Sequence, residues 1–123
     1  VRVSVLGVQY AVEYRTRAQD PELEAADCDG YCDTSIKLCV ARKYTAAERK
    51  EPGSKKCLDD YMRKCMRHEL VHAFLYESGL SINSLSPSGW ASNEEMTDWM
   101  AIKGRNFMML GNRQNVCEVR NQW

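Results

Sequence analysis

The chain has 123 residues, 44% of them hydrophobic, and its 17 basic residues are balanced by 17 acidic ones. That length suits one domain, 1–123, with a modest core, and the apolar share argues against a disordered chain. With zero net charge, and with lysines and arginines scattered in pairs such as Arg49-Lys50 and Lys55-Lys56, neither nucleic acid nor a membrane surface is an expected partner.

Residues Val1 to Leu6 and Val8 to Tyr14 alternate apolar and polar around Gly7, which predicts a hairpin. This opening is not the apolar core of a signal peptide, and no apolar run reaches membrane-spanning length. The expected compartment is therefore the cytoplasm. Arg15 to Ala26 is polar and acidic and reads as a loop. Thr34 to Ala41 alternates and predicts a third strand, with Tyr31 and Cys32 leading into it as a hairpin partner. Lys43 to Gly53 reads as a loop holding a helical turn at Ala46 to Lys50.

Ser54 is a candidate N-cap for a long helix, although Lys55 and Lys56 would then sit unfavourably in its first turn. Gly79 is a natural end for that helix. Its second half, Leu70 to Tyr76, is apolar nearly all round, as expected of a helix buried on more than one side. Ser81 to Ser92 reads as a loop. A second helix is predicted from Asn93 to about Leu110, with Asn93 or Ser92 as its N-cap and Glu94 and Glu95 in its first turn. Residues 113–123 form a weakly patterned tail.

The six cysteines, with no signal peptide to send them to an oxidising compartment, are expected to be reduced thiols. Cys28 and Cys32 are a weak candidate for a second metal site, since no Cys-x-x-Cys pair occurs.

The chemistry is carried by His68-Glu69-Leu70-Val71-His72, a His-Glu-x-x-His pattern inside the long predicted helix. Positions i and i+4 share a helix face, so the two imidazoles can grip one metal ion. Glu69, beside the first ligand, can serve as general base toward water held by the metal. These are the only two histidines in the chain, so a third ligand must be a carboxylate or a thiolate. Glu94 and Asp98, again i and i+4, suit a ligand and a partner that orients a ligand histidine. Glu95 is the alternative ligand. Tyr31, Tyr44, Tyr76 and several arginines are candidates to stabilise an oxyanion, and a peptide substrate could add to an exposed strand edge.

The runs Arg67 to Leu80 and Asn93 to Ala101 resemble the short zinc metallopeptidases encoded in bacteriophages and prophages, themselves similar to the zincins whose third ligand is glutamate. Leu6 to Tyr14, Asp29 to Asp33 and Thr34 to Lys37 are also similar, so the likeness spans about Val3 to Ile102. Cys39, Cys57, Cys65 and the stretch after Lys103 depart from it. The resemblance implies a minimal zincin-like α+β fold, a small antiparallel or mixed sheet packed on the motif helix. It also implies one zinc per chain on His68, His72 and Glu94, with Glu69 as catalytic base acting on a peptide or protein substrate. The competing expectation is a non-catalytic binding or regulatory protein in which zinc is structural.

Overall fold

The computed structural model describes residues 1–82 and 89–103. It is an α+β arrangement in which a mixed four-stranded sheet packs on one long helix. Strands β1 (Arg2–Val5) and β2 (Val8–Arg15) form the expected hairpin, with Val5 opposite Val8. Its two loop residues, Leu6 and Gly7, both have positive φ, 49° and 85°. That is the turn whose twist matches the strands it joins.

Residues 15–26 are not all loop. Asp20 accepts a hydrogen bond from the Glu22 amide at 3.0 Å and Pro21 opens a short helix, α1 (Pro21–Ala25). The Asp-Pro pair is a helix-start signal as well as a turn signal. α1 delivers Leu23, fully buried, against Leu38 and Val40 on the far face of the sheet.

Strand β3 (Gly30–Asp33) returns antiparallel to β4 (Leu38–Arg42), and β4 runs parallel to β2, giving the order β1-β2-β4-β3. β4 starts four residues later than the alternation from Thr34 suggests. The Asp33 carboxylate takes the Ser35 amide at 3.0 Å and Lys37 adopts φ 56°, so residues 34–37 form the turn. As an inner strand, β4 is buried on both faces. Leu38 and Val40 face α1, while Cys39 and Ala41 face the long helix.

Helix α2 (Ala46–Arg49) is closed by a Thr45/Glu48 capping box. The long helix, α3 (Leu58–Glu77), begins later than Ser54, with Cys57 at its N-cap. This start leaves Lys55 and Lys56 outside and places Asp59 and Asp60 in the first turn, which the helix dipole favours. Gly79 at φ 84° follows the helix end as expected, and its amide bonds the Tyr76 carbonyl at 3.0 Å. Glu77 accepts from Tyr10 at 2.7 Å and Lys37 at 2.6 Å, tying that end to the sheet.

A single 3-10 turn (Trp90–Ser92) precedes α4 (Glu94–Lys103). Asn93 caps α4 as expected, its side chain accepting from the Met96 amide at 2.7 Å. The continuation toward Leu110 and the tail 113–123 lie outside the described residues. Thr97 and Ala101 are the buried residues of α4, whereas Trp99 is 62% exposed. Small side chains facing α3 let the two helices approach closely, and the Arg67 guanidinium spans the contact to the Ala101 carbonyl at 2.6 Å. No helix among the described residues is long and apolar enough to cross a membrane.

Candidate metal centre

The face of α4 that meets α3 repeats at i, i+3, i+4 and i+7, that is Glu94, Thr97, Asp98 and Ala101. Burying Thr97 and Ala101 therefore carries Glu94 and Asp98 to the histidines. His68 Nε2 lies 2.8 Å from Glu94 Oε2, His72 Nε2 lies 3.3 Å from Glu94 Oε1, and the two Nε2 atoms are 3.1 Å apart. Taking one atom from each residue, the three ligands lie within 4.8 Å of one another, a group that could hold a metal ion. In a tetrahedral site with bonds of about 2.0–2.1 Å, neighbouring ligand atoms are about 3.3 Å apart. The donor set fits such an ion in both chemistry and spacing. Glu95 is exposed and outside this group.

Asp98 lies beside the other ring nitrogen of His68. Its Oδ1 lies 3.4 Å from His68 Nδ1, on the side of the ring away from Glu94. A proton held there leaves Nε2 with its lone pair free, as a ligand needs. Asp98 is shared with Lys64, whose Nζ is 2.7 Å away. The Lys64 hydrogen bond is the main reason the Asp98 carboxyl is held below its ordinary value, with His68 adding to it. Burial, and then the nearby His68, lower the pKa of His72 despite the opposing Glu94 carboxylate. The lowered value favours the neutral imidazole that a metal requires.

Glu69 is 8% exposed, and its side chain lies against Gly30 of the sheet. Burial, and secondarily the Glu94 carboxylate, push its pKa up to about 8. A cation on the three ligands would oppose that shift. Gly30 of β3 makes room for this side chain. A Cβ at Gly30 would stand 3.1 Å from Glu69 Oε1, 3.2 Å from its Cγ and 2.9 Å from the Val40 carbonyl oxygen.

Two cavities flank Glu69. One, of about 240 Å³, is bordered by His68, Glu94, Lys64, Tyr61 and Gly30, and the other, of about 340 Å³, by His72, Tyr76, Cys32 and Thr34. Of the three tyrosines named as oxyanion candidates, only Tyr76 borders either. Tyr31 donates to Asp20 at 2.6 Å beside the Leu23 cluster. Tyr44 donates to Asp29 at 3.3 Å and stacks over Arg42, bordering a separate cavity of about 400 Å³. Cys28 and Cys32 pack on opposite faces of the sheet and cannot share a metal. The five described cysteines are free thiols.

Gly30, Tyr61 and Lys64 are the site neighbours that sequence reasoning passed over. For Gly30 a signal existed, since an isolated glycine within a strand pattern marks a close backbone approach. Lys64 is one turn before His68, but nothing in its spacing distinguishes it from an ordinary surface lysine. Compared with protein-family models, curated proteins and solved structures, the chain matches none of them.

Proposed function

We propose that this chain is a zinc-dependent peptidase in which His68, His72 and Glu94 hold the metal and Glu69 is the general base. The observation that carries the reading is the convergence of two imidazoles and one carboxylate at 2.8–3.3 Å, with a second, buried carboxylate beside them. A structural zinc site closes with a fourth protein ligand, whereas a hydrolytic one has three and keeps a position for water. A hydrolytic site also needs a base, and the buried Glu69 carboxylate beside the three ligating groups supplies one, which favours hydrolysis over a structural metal. When bound, zinc would lower the pKa of water to about 7 and polarise a carbonyl.

Glu69 takes the proton from the attacking water at its carboxylate and delivers it to the departing amine. Its burial, enforced by β3, keeps bulk water from competing for that proton. Asp98, steadied by Lys64, holds the His68 ring in its ligand tautomer.

β3 is the edge of the sheet next to Glu69. The Arg42 amide bonds the Asp29 carbonyl at 2.9 Å, which sets the alternation along the ladder. Asp29, Tyr31 and Asp33 bond inward to β4, so the amide and carbonyl groups of Gly30 and Cys32 point to the open edge. An extended peptide pairing there would run past Glu69.

The test is metal analysis of the purified chain beside its Glu69→Gln variant, with hydrolysis of a mixed peptide library as the readout. Both proteins should carry about one zinc, and only the parent should cleave. A Glu69→Gln variant with full activity would refute the mechanism. Zinc-dependent folding with no cleavage by either protein would assign the metal a structural role.

A further inference from the structure

We propose that Cys32 and Cys39 form a redox-active dithiol, which a low-molecular-weight disulfide such as oxidised glutathione closes into an intrachain bond. The two residues are directly opposite across β3 and β4, with their sulfurs 3.6 Å apart. By the alternation set at Asp29 and Arg42, theirs is a non-hydrogen-bonded pair. Such pairs bring side chains closest, with Cα atoms about 4.5 Å apart, within the roughly 4.4–6.8 Å that a disulfide spans.

A free cysteine also serves as a small core residue, and Cys39, fully buried, could be no more than that. Cys32 differs, being half-buried and bordering the cavity of Glu69 and His72. An oxidant can reach it there. The hydrogen bond to Cys32, and then burial, push the Cys39 thiol up. Access decides the roles: half-buried Cys32 is the attacking thiol and fully buried Cys39 the resolving one.

In the first step the Cys32 thiolate attacks oxidised glutathione. A sulfur–sulfur bond to Cys32 forms, the glutathione disulfide breaks, and one glutathione leaves and takes up a proton. In the second step Cys39 gives up its proton and attacks Cys32 Sγ, expelling the second glutathione. Two protein thiols are oxidised and one glutathione disulfide is reduced to two thiols.

Closing the bond shortens the separation to about 2.0 Å. Cys39 is anchored in the core against the Glu69 carbonyl, 3.7 Å from its Sγ. The edge strand therefore makes most of the movement. That strand carries Gly30 against Glu69, so oxidation acts on the wall of the candidate site. The dithiol stands whether or not a metal binds.

The experiment incubates the full chain with oxidised glutathione, alkylates the remaining thiols in denaturant, digests with trypsin and identifies linked peptides by mass spectrometry. Trypsin cuts after Lys37, between the two cysteines, so the bond joins two separate peptides. The Cys32–Cys39 linked species should exceed the Cys32–glutathione adduct about tenfold or more, because the neighbouring thiol acts at high effective concentration. It should revert with dithiothreitol and be missing in Cys32→Ser. Exposed Cys57 is the internal standard for simple glutathione addition. Cys32 remaining free or singly glutathionylated once Cys57 is fully modified overturns the proposal, as does a bond from Cys32 to any other cysteine.

Discussion

Replacing Gly30 by alanine adds one methyl group at the point where the edge strand passes Glu69. The new Cβ would lie 2.9 Å from the Val40 carbonyl oxygen and 3.1 Å from Glu69 Oε1. The Glu69 side chain can give way, but Val40 is backbone in the central strand, so β3 itself must lift. Overpacking of this kind costs ~1–3 kcal/mol. For a domain of this size each kcal/mol lowers Tm by about 4 °C, so the expected drop is roughly 4–12 °C. None of the three candidate metal ligands is among the atoms nearest that Cβ. Zinc content should therefore persist while turnover falls, because the displaced group is the proposed general base. Calorimetry, metal analysis and peptide hydrolysis on the same preparation separate these effects. A Gly30→Ala protein with unchanged Tm and unchanged turnover would refute the idea that this glycine seats Glu69.

Three further outcomes follow from other parts of the fold. Asp98→Ala should weaken zinc binding about 10–100-fold, measured by competition with a chromophoric chelator, and unchanged affinity would remove Asp98 from the site. Leu6→Asn should raise stability by about 1 kcal/mol, because leucine is strained at φ 49° where asparagine is tolerated, and an unchanged or lower Tm would count against that turn. Burial alone would raise the Asp20 carboxyl, but bonds from Tyr31, Arg15 and the Glu22 amide outweigh it and leave its pKa lowered. A lowered folded-state value stabilises above the ordinary carboxylate range, and the benefit is lost as pH falls through the folded value. Asp20→Asn, which retains a capping side chain, should accordingly lose less stability than the parent on acidification below about pH 4. Parallel acid-unfolding curves would refute that assignment.

Much of the fold was legible because local chemistry and tertiary need agreed. The Leu6-Gly7 hairpin, the helical turn after Thr45, the Gly79 stop and the Asn93 cap all appear where residue type predicts them. The misreadings arose where two local signals competed. Asp20-Pro21 reads as a turn but opens α1. Thr34 to Lys37 alternates like a strand, yet the Asp33 side chain bends it into a turn. Ser54 looks like a cap, while the charges after it favour a start at Leu58.

The sequence by itself determined that His68 and His72 stand together as candidate metal ligands, since i, i+4 spacing places them on one face of any helix. With no third histidine, it also limited the next ligand to a carboxylate or a thiolate. Choosing Glu94 over Glu95 rests on the docking of α4, because both stand in the same first turn. Packing through Thr97 and Ala101 brings Glu94 within 2.8 Å of His68 and leaves Glu95 outside the group. The enclosure of Glu69 was likewise a tertiary decision, made by an edge strand that reaches it only through glycine. Spacing along one helix can place ligands side by side, but the environment of a carboxylate depends on which distant backbone crosses it.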